Sequence, residues 1–348
     1  MHKLLPAELH VGLRLPPLQK GPLMSSHIVR WSAAMQNWEK IHYDQQYARE
    51  VADLPGTLVN GSFKQHFLAQ FLSDAFDARG WVFRIDYRFT GMDLVGQTLE
   101  VRGRIADIGH TNAFRVIAVD FEIWNLEQET ATTRGHGTVI LATDGSPIRS
   151  IDAVSIPRCF RMAREVTPSS DDLPSSVRDK VGTVLERMRS DYEVDASRLR
   201  LFCDAIMNIR SLHFDFNAAR EQGYDTIAAP PLFPMHGIEL KPGKAELSSD
   251  PMASGREGSP SIIGRDLARQ VGMEDRGLLN GGSEVEIESF VQVGERIEVE
   301  SRLLSAQVKR RKTGAALLVL QRLNTYREIG GRVLLVHKPT TLFRMDVM

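Results

Sequence analysis

Asn37-Trp-Glu-Lys-Ile-His42-Tyr-Asp44, with Ala48-Arg49-Glu50 just beyond it, returns much later in the chain as Asn208-Ile-Arg-Ser-Leu-His213-Phe-Asp215 with Ala219-Arg220-Glu221. Asn, His, Asp, Ala, Arg and Glu keep one spacing in both copies. Further on, Val95-Gly96-Gln97-Thr98-Leu99-Glu100-Val101-Arg102-Gly103-Arg104 is answered by Val293-Gly294-Glu295-Arg296-Ile297-Glu298-Val299-Glu300-Ser301-Arg302. Two matched blocks in the same order indicate a duplicated domain, not a short-period solenoid. The interval between the blocks is longer in the second copy. An insertion therefore lies there, and residues 237–282, rich in Gly, Ser and charge, are the candidate.

A chain of 348 residues accommodates two domains of ordinary size. The repeat divides it into a first domain over residues 1–150, a linker over 151–190 with a helical stretch at 175–189, and a second domain over 191–348. Ser25 or Ser26 can cap a helix whose apolar face is Ile28, Trp31 and Met35. Asp195 or Ser197 plays that part before Leu199, Phe202, Cys203 and Ile206. Asp44 and Asp215 read as caps of the short helices that follow them. Phe63, Phe67, Leu68, Phe71, Leu72, Ala75 and Phe76 recur at helical spacing and predict a long apolar helix over 63–78. Alternating stretches rich in Val, Ile, Phe, Tyr and Thr predict strands at 81–89, 97–108, 114–125 and 135–141. The second copy offers strands at 284–292, 295–307, 315–326 and 332–343. One long helix wrapped by a curved antiparallel sheet, twice over, is an α+β architecture.

Lys and Arg number 43 against 44 Asp and Glu, and the net charge is −1. Such a balance gives no reason to expect a nucleic-acid partner. The basic run Lys309-Arg310-Arg311-Lys312 reads as a solvated hairpin tip or as a contact for the phosphates of a coenzyme or carrier arm. Two cysteines, Cys159 and Cys203, allow no disulfide framework and no Cys-based metal site. Cys203 falls on an apolar helix face and is expected in the core. No stretch approaches the roughly 18 uninterrupted apolar residues of a membrane span, and the N-terminus lacks a secretion-signal pattern. A cytoplasmic protein is the expectation. No His-Glu-x-x-His, P-loop or dinucleotide fingerprint occurs, so no metal or cofactor is expected.

The chemistry expected of the repeat rests on two parts. A helix starting at Gly61-Ser62 leaves N–H groups free at a positive dipole end. Such donors suit the enolate-like oxygen formed when a proton leaves the carbon beside a thioester carbonyl, or when water adds across a conjugated double bond. One well-placed donor is worth about 3–4 kcal/mol of transition-state stabilisation. His42 supplies the second part, a proton shuttle. Asn37 cannot be a base but can orient His42 or a water. His213 and Asn208 are the second-half candidates. Pro230, Pro231 and Pro234 crowd the place that answers to Gly61, and proline has no N–H, so the first half is the favoured site.

These residues carry a resemblance. Trp31-Ser-Ala-Ala, Asn37-x4-His42-Tyr-Asp44, Pro55 and Asn60-Gly61 resemble the MaoC-like (R)-specific enoyl-CoA hydratase and 3-hydroxyacyl-thioester dehydratase family, of hot-dog fold. Ala228-Ala229-Pro230-Pro231-Leu232-Phe233 and Asn280-Gly281-Gly282-Ser283-Glu284 are similar to runs of the partner hot-dog domain. The family's catalytic His falls on His42 and its catalytic Asp on Asn37. The intervening Asn-Pro is Glu39-Lys40 here, and the His of the family's His-Gly is Asn60. The Asn variant looks closest to the mesaconyl-CoA hydratase-type branch. The resemblance implies a tandem hot-dog protein that hydrates 2-enoyl thioesters reversibly; the catalytic-type motif falls in the first domain here, the inverse of the order usual in such fusions. Its substrate would be an acyl-CoA or acyl-carrier-protein thioester, bound near Gly61 and Ser62, and a homo-oligomer is compatible with it. Two alternatives stay open: a thioesterase, with Glu39 as the nearby carboxylate, and a non-catalytic acyl-CoA-binding partner subunit.

Overall fold

The computed structural model describes residues 9–76, 79–111, 113–167, 172–241, 263–264, 266–274, 278–310 and 316–345. A short strand, β1 (Leu18–Lys20), and helix α1 (Ser25–Met35) open the first half. A single 3-10 turn at Lys40–His42, the short helix α2 (Gln45–Glu50) and the long helix α3 (Gly61–Phe76) follow. Strands β2 (Gly80–Phe89), β3 (Leu99–His110), β4 (Phe114–Asn125) and β5 (Thr130–Ala142) complete it. The second half runs through α4 (Ser175–Arg178), β6 (Val184–Arg189), α5 (Ala196–Ile206), a 3-10 turn at Ser211–His213, and α6 (Phe216–Glu221). After a 3-10 turn at Phe233–His236 and α7 (Leu267–Gln270) come β7 (Leu278–Ile287), β8 (Ile297–Arg310), β9 (Ala316–Glu328) and β10 (Val333–Arg344).

The strands pair antiparallel in one sheet of order β1-β3-β4-β5-β2-β7-β10-β9-β8-β6. From either edge inward the two copies present their strands in the same order. A pseudo-twofold axis therefore passes between β2 and β7, where Ile85 faces Val285. The expected α+β architecture is present, and alternation built it: along β9 every second residue from Ala316 to Tyr326 is buried.

Helix α3 lies enclosed by the first half's sheet on one side and by elements of both halves on the other. Phe63, Phe67, Leu68 and Leu72 are fully buried, each worth about 1.5–3 kcal/mol on the usual area scale. Enclosure also buries the polar residues of the helix, and most of them have found partners. Lys64 meets Asp93 at 2.5 Å, and Gln65 Oε1 accepts from the Tyr87 hydroxyl at 2.6 Å. Gln70 Oε1 accepts from Lys20 at 2.8 Å. The same Lys20 ammonium donates to the carbonyls of Met207 (2.8 Å) and Ile206 (3.3 Å) at the C-terminus of α5. It thereby ties the two halves together where the helix dipole favours a cation. Burial lowers the Lys20 pKa to about 8.

Two expectations need correction. Residues 175–189 are not one helix. Only α4 is helical; Gly182, with φ of 86°, turns the chain, and β6 then pairs with β8 as the counterpart of β1. The second half's sheet thus begins inside the stretch read as linker. The other correction concerns the long helix expected in each copy. In the second copy the described residues at the matching place form only the turn Phe233–His236. Pro230 and Pro231 push the residues before them out of helical conformations. Gly237, whose Cα lies close against Ile297 and Phe233, ends the turn. Residues 242–262 of the expected insertion and the end of the basic run, Arg311 and Lys312, fall outside the described residues. Lys309 and Arg310 are exposed at the end of β8.

Candidate active site

The duplicated segment is duplicated in three dimensions. α1 ends on Gln36 and α5 on Met207, both left-handed, with φ of 49° and 55°. Each then delivers its Asn and enters a 3-10 turn that ends on the His. The aspartates are caps, as expected. Asp44 accepts from Tyr47 N at 3.0 Å, and Asp215 accepts from Asn217 N at 2.8 Å and Ala218 N at 3.1 Å. Asp195, not Ser197, caps α5 through Arg198 N.

His42 Nδ1 lies 2.9 Å from the Leu58 carbonyl, and His213 Nδ1 lies 2.8 Å from that of Ala228. A carbonyl only accepts, so Nδ1 carries the proton in both rings and Nε2 presents a lone pair. The bond from Leu58 N to Ile41 O, 3.0 Å, laces the His segment to the lead-in of α3. Burial lowers the His42 pKa to about 4 despite the Leu58 bond, so the ring is a neutral base at ordinary pH. His213 is pushed further, to about 3, by burial and then by Arg210.

The two copies differ in their asparagines. Asn208 Oδ1 is consumed locally, accepting from Arg210 N at 3.2 Å. Asn37 Oδ1 is buried and has no hydrogen-bond partner among the described residues. The histidines differ in access as well: His42 is half-buried and His213 is 1% exposed. The cavity beside His213, lined by Ser73, Trp81, Arg210, Tyr224 and Phe290 among others, is about 30 Å³. That is room for a water, not for an acyl group.

At the start of α3 the Asn60 carbonyl accepts from Phe63 N and Lys64 N, each at 3.1 Å. The N–H groups of Gly61 and Ser62 are the helix's leading, unreturned donors. The space beside Gly61 is filled by the Phe89 ring, which a Cβ there would meet at 2.9 Å. The glycine is thus accounted for by packing against Phe89. Asn60 is fully buried, and neither its Nδ2 nor its Oδ1 has a partner among the described residues.

Sequence reasoning passed over Asn60 as a polar group of the site and missed the Lys64–Asp93 pair that braces the helix start. Asp93 also accepts from Asn125 (2.7 Å) and Thr132 (2.9 Å), and its carbonyl accepts from Val59 N at 2.8 Å. The available signal was a charged residue interrupting the apolar run one turn into α3. Among the described residues no group of three or more His, Cys, Asp and Glu is placed to hold a metal ion, and no helix is long and apolar enough to cross a membrane.

Five histidines, His66 and His213 buried and His42, His236 and His337 half-buried, give the fold a pH dependence. Burial is the largest cause in each. It lowers His42 to about 4 and His213, His236 and His337 to about 3, and holds His66 well below the ordinary value. In the unfolded chain these rings take up protons below about pH 6.5, so between that pH and the folded values the unfolded state binds more protons. Stability is therefore full above about pH 6.5 and falls as the pH drops toward 4. Urea midpoints are expected to be flat from pH 7 to 8 and to fall steeply from 6.5 to 5. A midpoint constant across that acid range would contradict the neutral burial of these rings.

Solved structures share the fold. A putative MaoC domain protein dehydratase from Chloroflexus aurantiacus is 11% identical, with a TM-score of 0.64, over 98% of this chain and 97% of that one. A Mycobacterium tuberculosis protein described as a double hot-dog fold is 12% identical, with a TM-score of 0.56, over 97% and 98%. A MaoC-like dehydratase is 13% identical, with a TM-score of 0.55, over 93% and 96%. No curated protein matches the sequence. Family models do: residues 19–95 match hydroxyacyl-thioester dehydratase type 2, and residues 180–335 match the FAS1-like dehydratase domain region. The chain thus has the double hot-dog fold of MaoC-like dehydratases, and each half matches a dehydratase family model. Both family models describe dehydratases, the first of them of hydroxyacyl thioesters, which supports dehydratase chemistry on a thioester. The two family models fall on the two copies of the repeat.

Proposed function

We propose that this protein reversibly hydrates a 2-enoyl thioester to the 3-hydroxyacyl thioester, at one site built on His42, with acyl-CoA as the carrier. The observation that carries this reading is the asymmetry between the copies. Among the described residues, the first half alone has a fixed-tautomer His that shares its segment with an unpartnered Asn oxygen and stands laced to the start of a long helix. In hydration, Asn37 Oδ1 accepts a hydrogen bond from the attacking water and His42 Nε2 takes its other proton. The oxygen bonds to C3, and the double-bond electrons move toward the thioester oxygen. The N–H groups of Gly61 and Ser62 meet that developing charge. Collapse of the enolate takes the proton from His42 to C2, which returns the ring to its starting state. Asn37 has no proton to exchange, so one imidazole serves as both base and acid.

Purified protein given 3-hydroxyacyl-CoA esters of several lengths is expected to generate the ultraviolet absorbance of the conjugated enoyl thioester. Free thiol without that absorbance would select the thioesterase reading. Tight binding without either product would select a non-catalytic partner.

A further inference from the structure

The inner face of the second half's sheet carries two apolar clusters with a polar belt between them. Ile297, Val299 and Leu335 belong to the core shared with the first half, while Leu303, Leu318 and Phe343 form a separate cluster with Leu267 and Val271. Between the two, in register across three strands, stand Ser301 on β8, Asn324 on β9 and His337 on β10. Arg322 is the neighbouring inward residue on β9.

Ser301 and Asn324 are 0% exposed and Arg322 is 8% exposed. Ser301 Oγ, Arg322 Nε and His337 Nδ1 have no hydrogen-bond partner among the described residues, and Asn324 has only the Tyr326 hydroxyl near its amide, outside good hydrogen-bond geometry. Arg322 makes one long bond, 3.4 Å, to the Ile263 carbonyl. Its field reaches Glu186, but that carboxylate is engaged by Gly264 N at 2.7 Å, and no described carboxylate stands within ion-pair distance of the guanidinium.

The duplication shows what the belt replaces. The repeat equates Ser301 with Gly103, and the strand registers then equate Asn324 with Phe121 and His337 with Gly135. In the first half α3 lies on this face: a Cβ at Gly103 would meet the Phe71 ring at 2.9 Å, while at Gly135 one would meet the Phe121 ring and the β2 backbone. In the second half no long helix covers them among the described residues, and polar side chains have taken their place. A file of hydrogen bonds leads back toward the proposed site. His337 Nε2 bonds Ser283 Oγ at 2.9 Å, Ser283 stands in register with Tyr87, and the Tyr87 hydroxyl donates to Gln65, one turn into α3.

We propose that this belt is a ligand subsite for the far end of the acyl group, and that this end carries a carboxylate. Donors predominate: the guanidinium Nε–H, the Asn324 amide N–H groups and the Ser301 hydroxyl face one belt, and among the described residues no carboxylate pairs with the buried cation. An acyl chain ending in a methyl group would leave them unpaired. The proposal rests on the hydratase reading for how the ligand is carried, so it needs a readout that does not depend on turnover.

The test pairs 3-hydroxyoctanoyl-CoA and 3-hydroxydodecanoyl-CoA with their ω-carboxy counterparts, and separately follows the melting temperature with dodecanedioate against dodecanoate. For at least one length the ω-carboxy ester is expected to be preferred by about tenfold or more in kcat/KM. Arg322→Met is expected to erase that preference, read as the ratio of kcat/KM for the ω-carboxy and methyl-ended esters, and to melt no lower than wild type without ligand, since it removes an unpaired buried charge. Ser301→Ala, a milder change, should weaken the preference. Dodecanedioate should raise the melting temperature of wild type and not of Arg322→Met. If no ester is dehydrated but that difference persists, the subsite stands and the lyase reading falls. If methyl-ended esters are preferred at both lengths and Arg322→Met changes nothing, the belt holds water only and the proposal is overturned.

Discussion

His42→Ala is expected to lower kcat for 3-hydroxyacyl-CoA dehydration by about 10²–10⁴-fold, the usual worth of a positioned acid–base group, with little change in melting temperature. The ring is half-buried, and its one protein bond, to the Leu58 carbonyl, can be remade by water. His213→Ala should do the opposite. That ring is 1% exposed and pairs the Ala228 carbonyl. Its loss opens a cavity and leaves a buried acceptor unmatched, a cost of about 1–3 kcal/mol for the acceptor alone. Initial rates and urea midpoints of the two variants decide the matter together. If both lose activity equally with no loss of stability, the single-site reading is wrong.

Lys64→Met is expected to destabilise the protein by about 3–5 kcal/mol, because it strands the Asp93 carboxylate in the interior. Lys64 and Asp93 are 3% and 0% exposed at the side chain, and the carboxylate is further fixed by Asn125 and Thr132. Adding Asp93→Leu should recover much of that loss, since removing both partners avoids the unpaired charge. Urea unfolding of the two single variants and the double variant measures the coupling. A single-variant loss below about 1 kcal/mol, the range of exposed pairs, would mean that the pair does not form as described. The site depends on this pair. Lys64 sits in the first turn of α3, where its charge opposes the helix dipole, and the Asp93 carboxylate offsets it.

Much of this was legible beforehand. The repeated Asn…His…Asp segments announced the duplication, and the caps Asp44, Asp215 and Asp195 were readable because a cap is a bond between residues two or three apart. The strand at 114–125 was placed without error because its buried residues alternate from Ile117 to Asn125. The misread helix at 175–189 shows the limit of that signal. Its residues have reasonable helical propensity, yet β8 offered an edge to pair with, and pairing outweighed propensity.

Local spacing settles which face a residue occupies, because the backbone's period is intrinsic to each segment. Which atom meets which depends on how segments remote in sequence come into register. Asn37 and Asn208 are alike in sequence, yet one amide oxygen is spent on its own loop and the other is left open. Lys64 finds Asp93 only because β2 and the turn after it fold back over the start of α3. Ser301, Asn324 and His337 become one belt only when three strands pair. The chain's order of residues therefore set its elements and its twofold plan. The burial of charges, the protonation of its histidines and the inequality of its two halves came from packing, where a low dielectric and a fixed register act on groups that never neighbour one another along the chain.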